Sequence, residues 1–156
     1  MKTIKKILHL VLWVGVFLTI STFIGMLSKT HTSSAWYHAL NQSPLKPPNF
    51  IFGIVWPILY TLIAYSGWLI WSIPRTPVLK RLYIGQMLLN WSWMHVFFIY
   101  RMTGLALLSL MAMVVIVAAL IVACWRTVRM AGIALIPYFL WLVFALHLNW
   151  YIWMHN

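Results

Sequence analysis

The sequence predicts an all-α integral membrane protein, a bundle of five transmembrane helices in one domain covering residues 1–156. Apolar residues make up 64% of the chain and charged residues only 7%, whereas soluble domains have roughly 45–50% and about 25%. Five apolar runs without any charged residue follow one another along the chain. So much apolar surface cannot be buried inside a domain of this size, and the chain therefore needs lipid as its solvent.

The five predicted helices cover residues 7–27, 51–73, 82–100, 104–125 and 132–154. Each run has the roughly 20 residues with which a helix crosses about 30 Å of hydrocarbon. Helix is favoured over strand because an open sheet edge cannot satisfy its backbone groups in lipid. The first run exceeds the roughly 7–15 residues of a signal-peptide core, so we interpret it as a retained helix. A loop of residues 28–50 joins the first two helices.

The distribution of positive charge predicts how the bundle is oriented. Three cations fall on one side of the predicted bundle: Lys29, Lys46 and Arg101. Eight fall on the other: Lys2, Lys5, Lys6, Arg75, Lys80, Arg81, Arg126 and Arg129. The positive-inside rule then places the N-terminus in the cytoplasm and the loop of residues 28–50 outside, in a membrane of bacterial type. Because the cations lie at helix ends and not on one face, no nucleic acid is expected as a partner.

The residue types exclude several kinds of chemistry. The chain has no Asp or Glu, so it lacks a carboxylate general base and the usual ligands of Ca²⁺ or Mg²⁺. Its one cysteine, Cys124, excludes an internal disulfide. No two histidines are spaced i, i+4 on a helix, and no metal site is predicted. His147 is a candidate ligand for a haem iron, or else a hydrogen-bonded histidine within the membrane.

Polar and aromatic residues share one face of the third predicted helix. Gln86, Asn90, Trp93 and Phe97 are spaced four, three and four residues apart, which aligns them along the helix. Amides in the membrane interior are costly unless they are paired or face a cavity. The face therefore either joins helices by hydrogen bonds or lines a ligand cavity.

The second and fifth predicted helices each carry aromatic residues on one face near a proline. These faces contain Trp56 and Tyr60, and Tyr138, Trp141, Ala145 and Leu148. Pro57 and Pro137 each remove a helical hydrogen bond and predict a kink. Together with the amide-bearing face, the two helices could enclose an aromatic box. Small residues four apart, Ser21 with Gly25 and Ala119 with Ala123, are weak indications of close helix contacts.

Motifs from Trp36 to Asn149 carry a family resemblance. They are Trp36-Tyr37, Pro47-Pro48, Phe52, Val55-Trp56, Leu59-Tyr60, Gln86, Asn90, Trp93, Phe97-Phe98, Gly104-Leu105-Ala106-Leu107, Pro137-Tyr138, Trp141, Phe144-Ala145 and Leu148-Asn149. In this register the chain resembles the tryptophan-rich sensory protein and translocator protein family (TspO/MBR). The resemblance implies a five-helix bundle, often dimeric, that needs no cofactor and binds a tetrapyrrole such as protoporphyrin IX or haem as a sensor, scavenger or transporter.

The resemblance also implies that the loop of residues 28–50 caps the ligand. A flat macrocycle would stack on aromatic faces, and donors at the mouth would meet its propionates. The predicted ligand site consists of Trp36, His38, Lys46, Pro47, Pro48, Phe52, Trp56, Tyr60, Gln86, Asn90, Trp93, Phe97, Tyr138, Trp141, Ala145, His147 and Leu148.

Two other functions stay open at this point. One is light-dependent porphyrin degradation, in which Trp56 and Trp141 would be the redox-active side chains. The other is binding of a sterol or another membrane lipid. The family commonly has Trp-Arg near the end of the last helix, where this chain has Trp153-Met154. That departure weighs against sterol recognition, and His147 in place of a common tyrosine would favour a metalloporphyrin.

Overall fold

The computed structural model describes the backbone of residues 2–156 and the side chains from Ile4 onward. The side chain of Lys2, one of the cations used to orient the bundle, lies outside the described residues. Within them, the helices are α1 (Lys2–Thr32), α2 (Ala35–Ala39), α3 (Asn49–Trp71), α4 (Pro77–Met94), α5 (Thr103–Trp125) and α6 (Arg129–His155). A π-helix, His95–Ile99, continues α4. The all-helical fold class is therefore confirmed.

Four helices in the described part of the chain are long and apolar enough to cross a membrane: residues 4–32 of α1, and α3, α5 and α6. The predicted span of residues 82–100 is divided between α4 and the π-helix. α4 also begins earlier than predicted, at Pro77, and takes Lys80 and Arg81 into its first turns. The structure thus supports an integral membrane protein with four candidate spans.

The helices form a bundle in which sequence neighbours are not always spatial neighbours. α1 packs on α3, α3 on α6, α6 on α5, and α5 on α4, while the π-helix returns to α1. α6 therefore lies between α3 and α5, and its side chains also reach α4 through the Asn90–Tyr138 and Trp93–Asn149 hydrogen bonds. The predicted faces on the second, third and fifth membrane helices converge for this reason.

One end of the bundle, which we call the closed end, is packed solid. Here the C-termini of α3 and α5 meet the N-termini of α4 and α6. Buried aliphatic and sulfur-containing side chains fill it: Ile63, Ile70, Leu79, Met113, Val117, Leu120, Cys124 and Leu135. The buried Tyr83 hydroxyl donates a hydrogen bond to the carbonyl of Ile63 at 2.9 Å. A Cβ atom on Gly67 would come within 2.5 Å of that hydroxyl, so this position requires a glycine.

The opposite, open end carries the connection between α1 and α3. The predicted loop of residues 28–50 is shorter than expected, because α1 continues to Thr32 and α2 follows almost at once. Ser34 caps α2 by accepting a hydrogen bond from the Tyr37 N–H at 3.3 Å. Polar helix-ending residues beyond the apolar run explain the difference, since hydropathy cannot distinguish a helical turn outside the hydrocarbon from a loop.

Two asparagines fasten this connection to the end of α6. The Asn41 N–H donates to the Asn156 Oδ1 at 2.9 Å, and the Asn41 Nδ2 donates to the carbonyl of His155 at 3.0 Å. The Asn156 Nδ2 in turn donates to the Asn41 carbonyl at 3.3 Å. We call this arrangement the Asn41–Asn156 clasp. It joins two segments that lie 115 residues apart in sequence.

Candidate functional site

A cavity of about 740 Å³ opens between the helices at the open end. This volume falls within the roughly 300–1,000 Å³ of small-molecule sites in proteins. α1, α3, α4, the π-helix and α6 form its walls, with α5 contributing Leu110 and Met113 at the bottom. Residues of the α1–α3 connection, including Tyr37 and Lys46, lie at its mouth.

The walls of the cavity are mainly aromatic. Trp93 and Phe97 stack with ring centroids 5.1 Å apart and planes 16° from parallel. On the facing helices, Phe52 meets Trp141 edge-on at 5.6 Å, and Trp56 lies against Tyr60 at 5.7 Å. Flat apolar ring systems prefer such stacked and edge-on arrangements. The walls are therefore suited to a flat, largely apolar ligand.

The floor of the cavity is a neutral, saturated hydrogen-bond chain. The Tyr60 hydroxyl donates to the Asn90 Oδ1 at 2.6 Å, and the Asn90 Nδ2 donates to the Tyr138 hydroxyl at 2.8 Å. That hydroxyl donates to the Met113 sulfur at 3.4 Å. The chain links α3, α4, α6 and α5. Asn90 therefore does both things that the sequence left open, since it joins helices and also lines the cavity.

One donor in the cavity wall has no partner. The indole Nε1 of Trp141 is buried and, among the described residues, meets no acceptor. The Nε1 of Trp93 differs, because it donates to the Asn149 Oδ1 at 3.2 Å. Buried donors without acceptors are costly. The Nε1 has almost no accessible surface, so a ligand in the cavity would meet the Trp141 ring and not this donor.

The mouth is polar and positively charged. Lys29 in the last turn of α1 and Lys46 in the α1–α3 connection both line it, beside Gln42 and Ser43. The Lys46 Nζ lies 5.0 Å from the centre of the Tyr37 ring. Burial lowers the pKa of the Lys46 ammonium and raises the pKa of the Tyr37 hydroxyl, because each charged form loses hydration.

α2 is held over the mouth by aromatic contacts with the π-helix. Trp36 meets Phe97 edge-on at 5.9 Å, and the Arg101 guanidinium lies 5.4 Å from the Trp36 ring centre. Tyr37 lies 5.5 Å from Phe98. We call α2 the lid. Because Phe97 also lines the cavity, a shift of the lid would reach the wall directly through this ring.

The structure gathers ten of the predicted site residues around the cavity: Lys46, Phe52, Trp56, Tyr60, Asn90, Trp93, Phe97, Trp141, Ala145 and Leu148. Four more lie next to it without lining it. Trp36 packs behind Phe97, Tyr138 is buried behind Asn90, and Pro47 and Pro48 lead into α3. His38, on α2, is exposed.

Two predicted residues lie elsewhere. Gln86 is fully buried one turn beyond Asn90, and neither of its amide atoms has a partner in the described part of the chain. His147 lines a separate shallow groove of about 310 Å³ between α5 and α6. Its Nε2 lies 3.4 Å from the Ser43 hydroxyl. Gln86 shares the face of Asn90 but lies one turn deeper, below the cavity floor. The α-helical register turns His147 to the side of α6 away from Trp141.

The sequence reading missed the wall supplied by α1. Ser21, Gly25, Ser28 and Thr32 all line the cavity, although Ser21 and Gly25 were interpreted only as a small-residue contact. Their spacing of four, three and four residues equals that of the predicted strip on the third helix. This repeated spacing of polar and small residues was the signal that could have identified the wall. Tyr37, Phe98 and Asn149 were also missed as lining residues.

The fold and the cavity define an all-helical membrane protein with a ligand-sized aromatic cavity at one end of its bundle. The chain belongs to the TspO/MBR family, whose profile matches residues 11–154.

Curated relatives agree with this assignment. The human protein named Translocator protein is 32% identical over 143 residues, covering 88% of this chain and 85% of the relative. The Tryptophan-rich sensory protein of Cereibacter sphaeroides is 30% identical over 114 residues, covering 73% and 72%. The Tryptophan-rich protein TspO of Archaeoglobus fulgidus is 30% identical over 139 residues, covering 86% and 88%. The predicted family is therefore confirmed.

Proposed function

We propose that this chain is a membrane tetrapyrrole-binding protein, with protoporphyrin IX or haem as its ligand. The observation that carries the proposal is the aromatic cavity at the open end. Its walls offer stacking faces, its mouth offers cations and its floor offers no charge. A porphyrin has the same distribution of properties, with a flat apolar ring and carboxylates along one edge.

The proposal places the ring between α1, α3, the π-helix and α6. Trp56, Trp93 and Trp141 would contact its faces, and α2 would lie above its edge. In this arrangement the lid residue Trp36 acts by supporting Phe97.

The names of the relatives guide the proposed role. Translocator and sensory proteins in one family are consistent with binding that serves transport or sensing. We further propose five membrane spans, in which α4 and the π-helix together form the third. The N-terminus would be cytoplasmic, because fewer cations lie at the open end than at the closed end. The membrane would be of bacterial type. A homodimer, expected from the family resemblance, is part of the same proposal.

Titration of the purified protein with protoporphyrin IX tests the binding proposal. Bound porphyrin should quench tryptophan fluorescence, because three tryptophans line the cavity. Quenching no greater than in a detergent blank would exclude tetrapyrrole binding. A neutral sterol added in excess should not displace the porphyrin, and displacement would favour the sterol alternative. Reporter fusions at the C-terminus test the orientation, since an odd number of spans places that end outside.

Light-dependent porphyrin degradation is a second candidate function. The observation that favours it is that Trp56 and Trp141 both line the cavity. Under illumination, the absorbance bands of bound porphyrin should then disappear faster than those of the free pigment. The double variant Trp56→Phe, Trp141→Phe should bind porphyrin and lose the effect. Degradation that persists in that variant would exclude these two residues, and bands that are stable in the wild type would exclude the activity.

A further inference from the structure

Charge enters the cavity from one end only. Among the described residues that line it, Lys29 and Lys46 alone are charged, and both lie at the mouth. Lys29 belongs to the last turn of α1, and Lys46 precedes the prolines that lead into α3. The two cations therefore come from different segments and share one opening.

No acidic side chain can pair with either lysine. The sequence contains no Asp or Glu at all, and the Lys46 ammonium rests on the face of the Tyr37 ring. A cation that has lost part of its hydration without gaining an anion is unfavourable. Burial has lowered the pKa of Lys46 for this reason, and an arriving carboxylate would raise it again.

The remainder of the cavity offers no group that would stabilise a charge on the ligand. Its walls are aromatic, and the Tyr60–Asn90 hydrogen bond at the floor is already satisfied at 2.6 Å. A carboxylate placed at that depth would lose its hydration and meet no cation. An anionic ligand can therefore enter in one orientation only, with its acidic edge towards the mouth.

We propose that Lys29 and Lys46 form a two-point anion clamp that selects flat ligands carrying carboxylates along one edge. The clamp would discriminate a dicarboxylate tetrapyrrole from its neutral ester and from uncharged sterols. Ammonium–carboxylate hydrogen bonds are stronger than neutral ones, and they fix orientation. This inference rests on the proposed function, and it adds Lys29 and a charge rule for the ligand.

The phosphate of an anionic lipid could supply the same chemistry to the two lysines. We assign the ligand carboxylates to them because both side chains line the cavity. The two sources differ in what the lysines should affect. A ligand clamp changes the ratio of acid to ester affinity, whereas a lipid contact changes how anionic lipid stabilises the protein.

The experiment compares protoporphyrin IX with its dimethyl ester in nanodiscs of phosphatidylcholine, using tryptophan quenching and empty nanodiscs as the blank. The wild type should bind the diacid about tenfold more tightly than the ester. Because Lys29 is exposed, solvent screening reduces the binding free energy that it can contribute. Lys29→Gln and Lys46→Gln should each weaken diacid binding about threefold and leave ester binding unchanged. The double variant should lose the preference.

Lys80→Gln is the matched control. Lys80 also lies over an aromatic ring, 5.7 Å from the centre of Trp71, but at the closed end. This variant should keep the wild-type ratio of diacid to ester affinity. A change as large as that of Lys46→Gln would mean that overall charge, and not the clamp, sets the preference.

Three further results would overturn the clamp. If the wild type binds diacid and ester equally, the clamp is wrong while tetrapyrrole binding stands. If neither compound binds, the proposed function is wrong and the clamp with it. If the lysine variants keep the wild-type ratio but lose thermal stabilisation by phosphatidylglycerol nanodiscs, the lysines bind lipid headgroups instead.

Discussion

The closed and open ends of the bundle are built from the same helices but are packed in different ways. At the closed end, aliphatic side chains of α3, α4, α5 and α6 fill the space between the helices. At the open end, aromatic and small residues leave a cavity of about 740 Å³. The composition is apolar at both ends, so hydrophobicity does not decide which end is hollow.

Glycine shows the difference most clearly. Gly67 at the closed end faces the Tyr83 hydroxyl, which a Cβ atom would approach within 2.5 Å. Gly25 and Gly53 line the cavity, and a Cβ atom on either would meet nothing within 4 Å. One glycine allows close packing, and the other two border empty space. The same residue type thus has opposite roles at the two ends.

The largest expected effect comes from filling the closed end. Gly67→Leu should destabilise the protein by about 3 kcal/mol or more, because overpacking forces the buried Tyr83 off its hydrogen bond. Gly53→Leu, the matched variant at the open end, should leave stability unchanged or slightly raised, since leucine is a better helix former. Thermal unfolding in detergent measures both. Equal losses of stability would mean that the two ends do not differ in packing.

The next largest effect should be a difference in stability between variants of the two buried amides of α4, Asn90 and Gln86. Asn90→Leu leaves two buried tyrosine hydroxyls without the amide that joins them, and should cost about 1–2 kcal/mol. Gln86→Leu removes an amide that has no partner and should be neutral or stabilising. The two midpoints of unfolding give the comparison. A loss at Gln86 as large as that at Asn90 would show that Gln86 has bonds of its own, for example to buried water.

Filling the open end should affect binding without affecting folding. Gly53→Leu projects a side chain into the cavity and should weaken porphyrin binding at least tenfold, which corresponds to about 1.4 kcal/mol. Gly85, which has open space around it but does not line the cavity, supplies the control Gly85→Leu, with unchanged affinity. Fluorescence titration measures both. Unchanged affinity in Gly53→Leu would place the ligand outside this cavity.

The smallest effect should come from the Asn41–Asn156 clasp. Asn156→Ala removes the side chain that bonds both the N–H and the carbonyl of Asn41. Ligand dissociation should accelerate about twofold to fivefold, in line with the modest net value of exposed hydrogen bonds. His155→Ala keeps the backbone carbonyl that accepts from Asn41 and serves as control. Stopped-flow displacement gives the rates, and identical rates for wild type and Asn156→Ala would show that the clasp does not restrain the lid.

The sequence predicted the helical class and part of the cavity wall because both depend on spacing. Apolar run lengths identify helices, and a face of Asn90, Trp93 and Phe97 is visible from their separation alone. The same reasoning could not separate Gln86 from Asn90, which share that face. Their depth relative to the cavity floor depends on where Tyr60 and Tyr138 reach across the bundle, and this follows from packing between helices distant in sequence.

Helix ends were predicted less well for a related reason. Residues 28–32 are polar, yet α1 continues through them, and α2 follows in a segment expected to be a loop. Outside the hydrocarbon, hydropathy no longer indicates whether the backbone is helical. The sequence could not predict the Asn41–Asn156 clasp either, because nothing in it connects Asn41 with a residue 115 positions away.

Because no acidic side chain lies at the cavity mouth, the charge there depends on pH in a simple way. Because the chain has no Asp or Glu, lowering the pH cannot add a proton to an acidic side chain at the cavity. Raising the pH removes charge, and it does so at Lys46 before an unshifted lysine, since its pKa is lowered. Any loss of binding in acid would therefore report the titration of the ligand's own carboxylates. The charge at the mouth would stay positive in acid, and the pH dependence of binding there would follow the ionisation of the ligand.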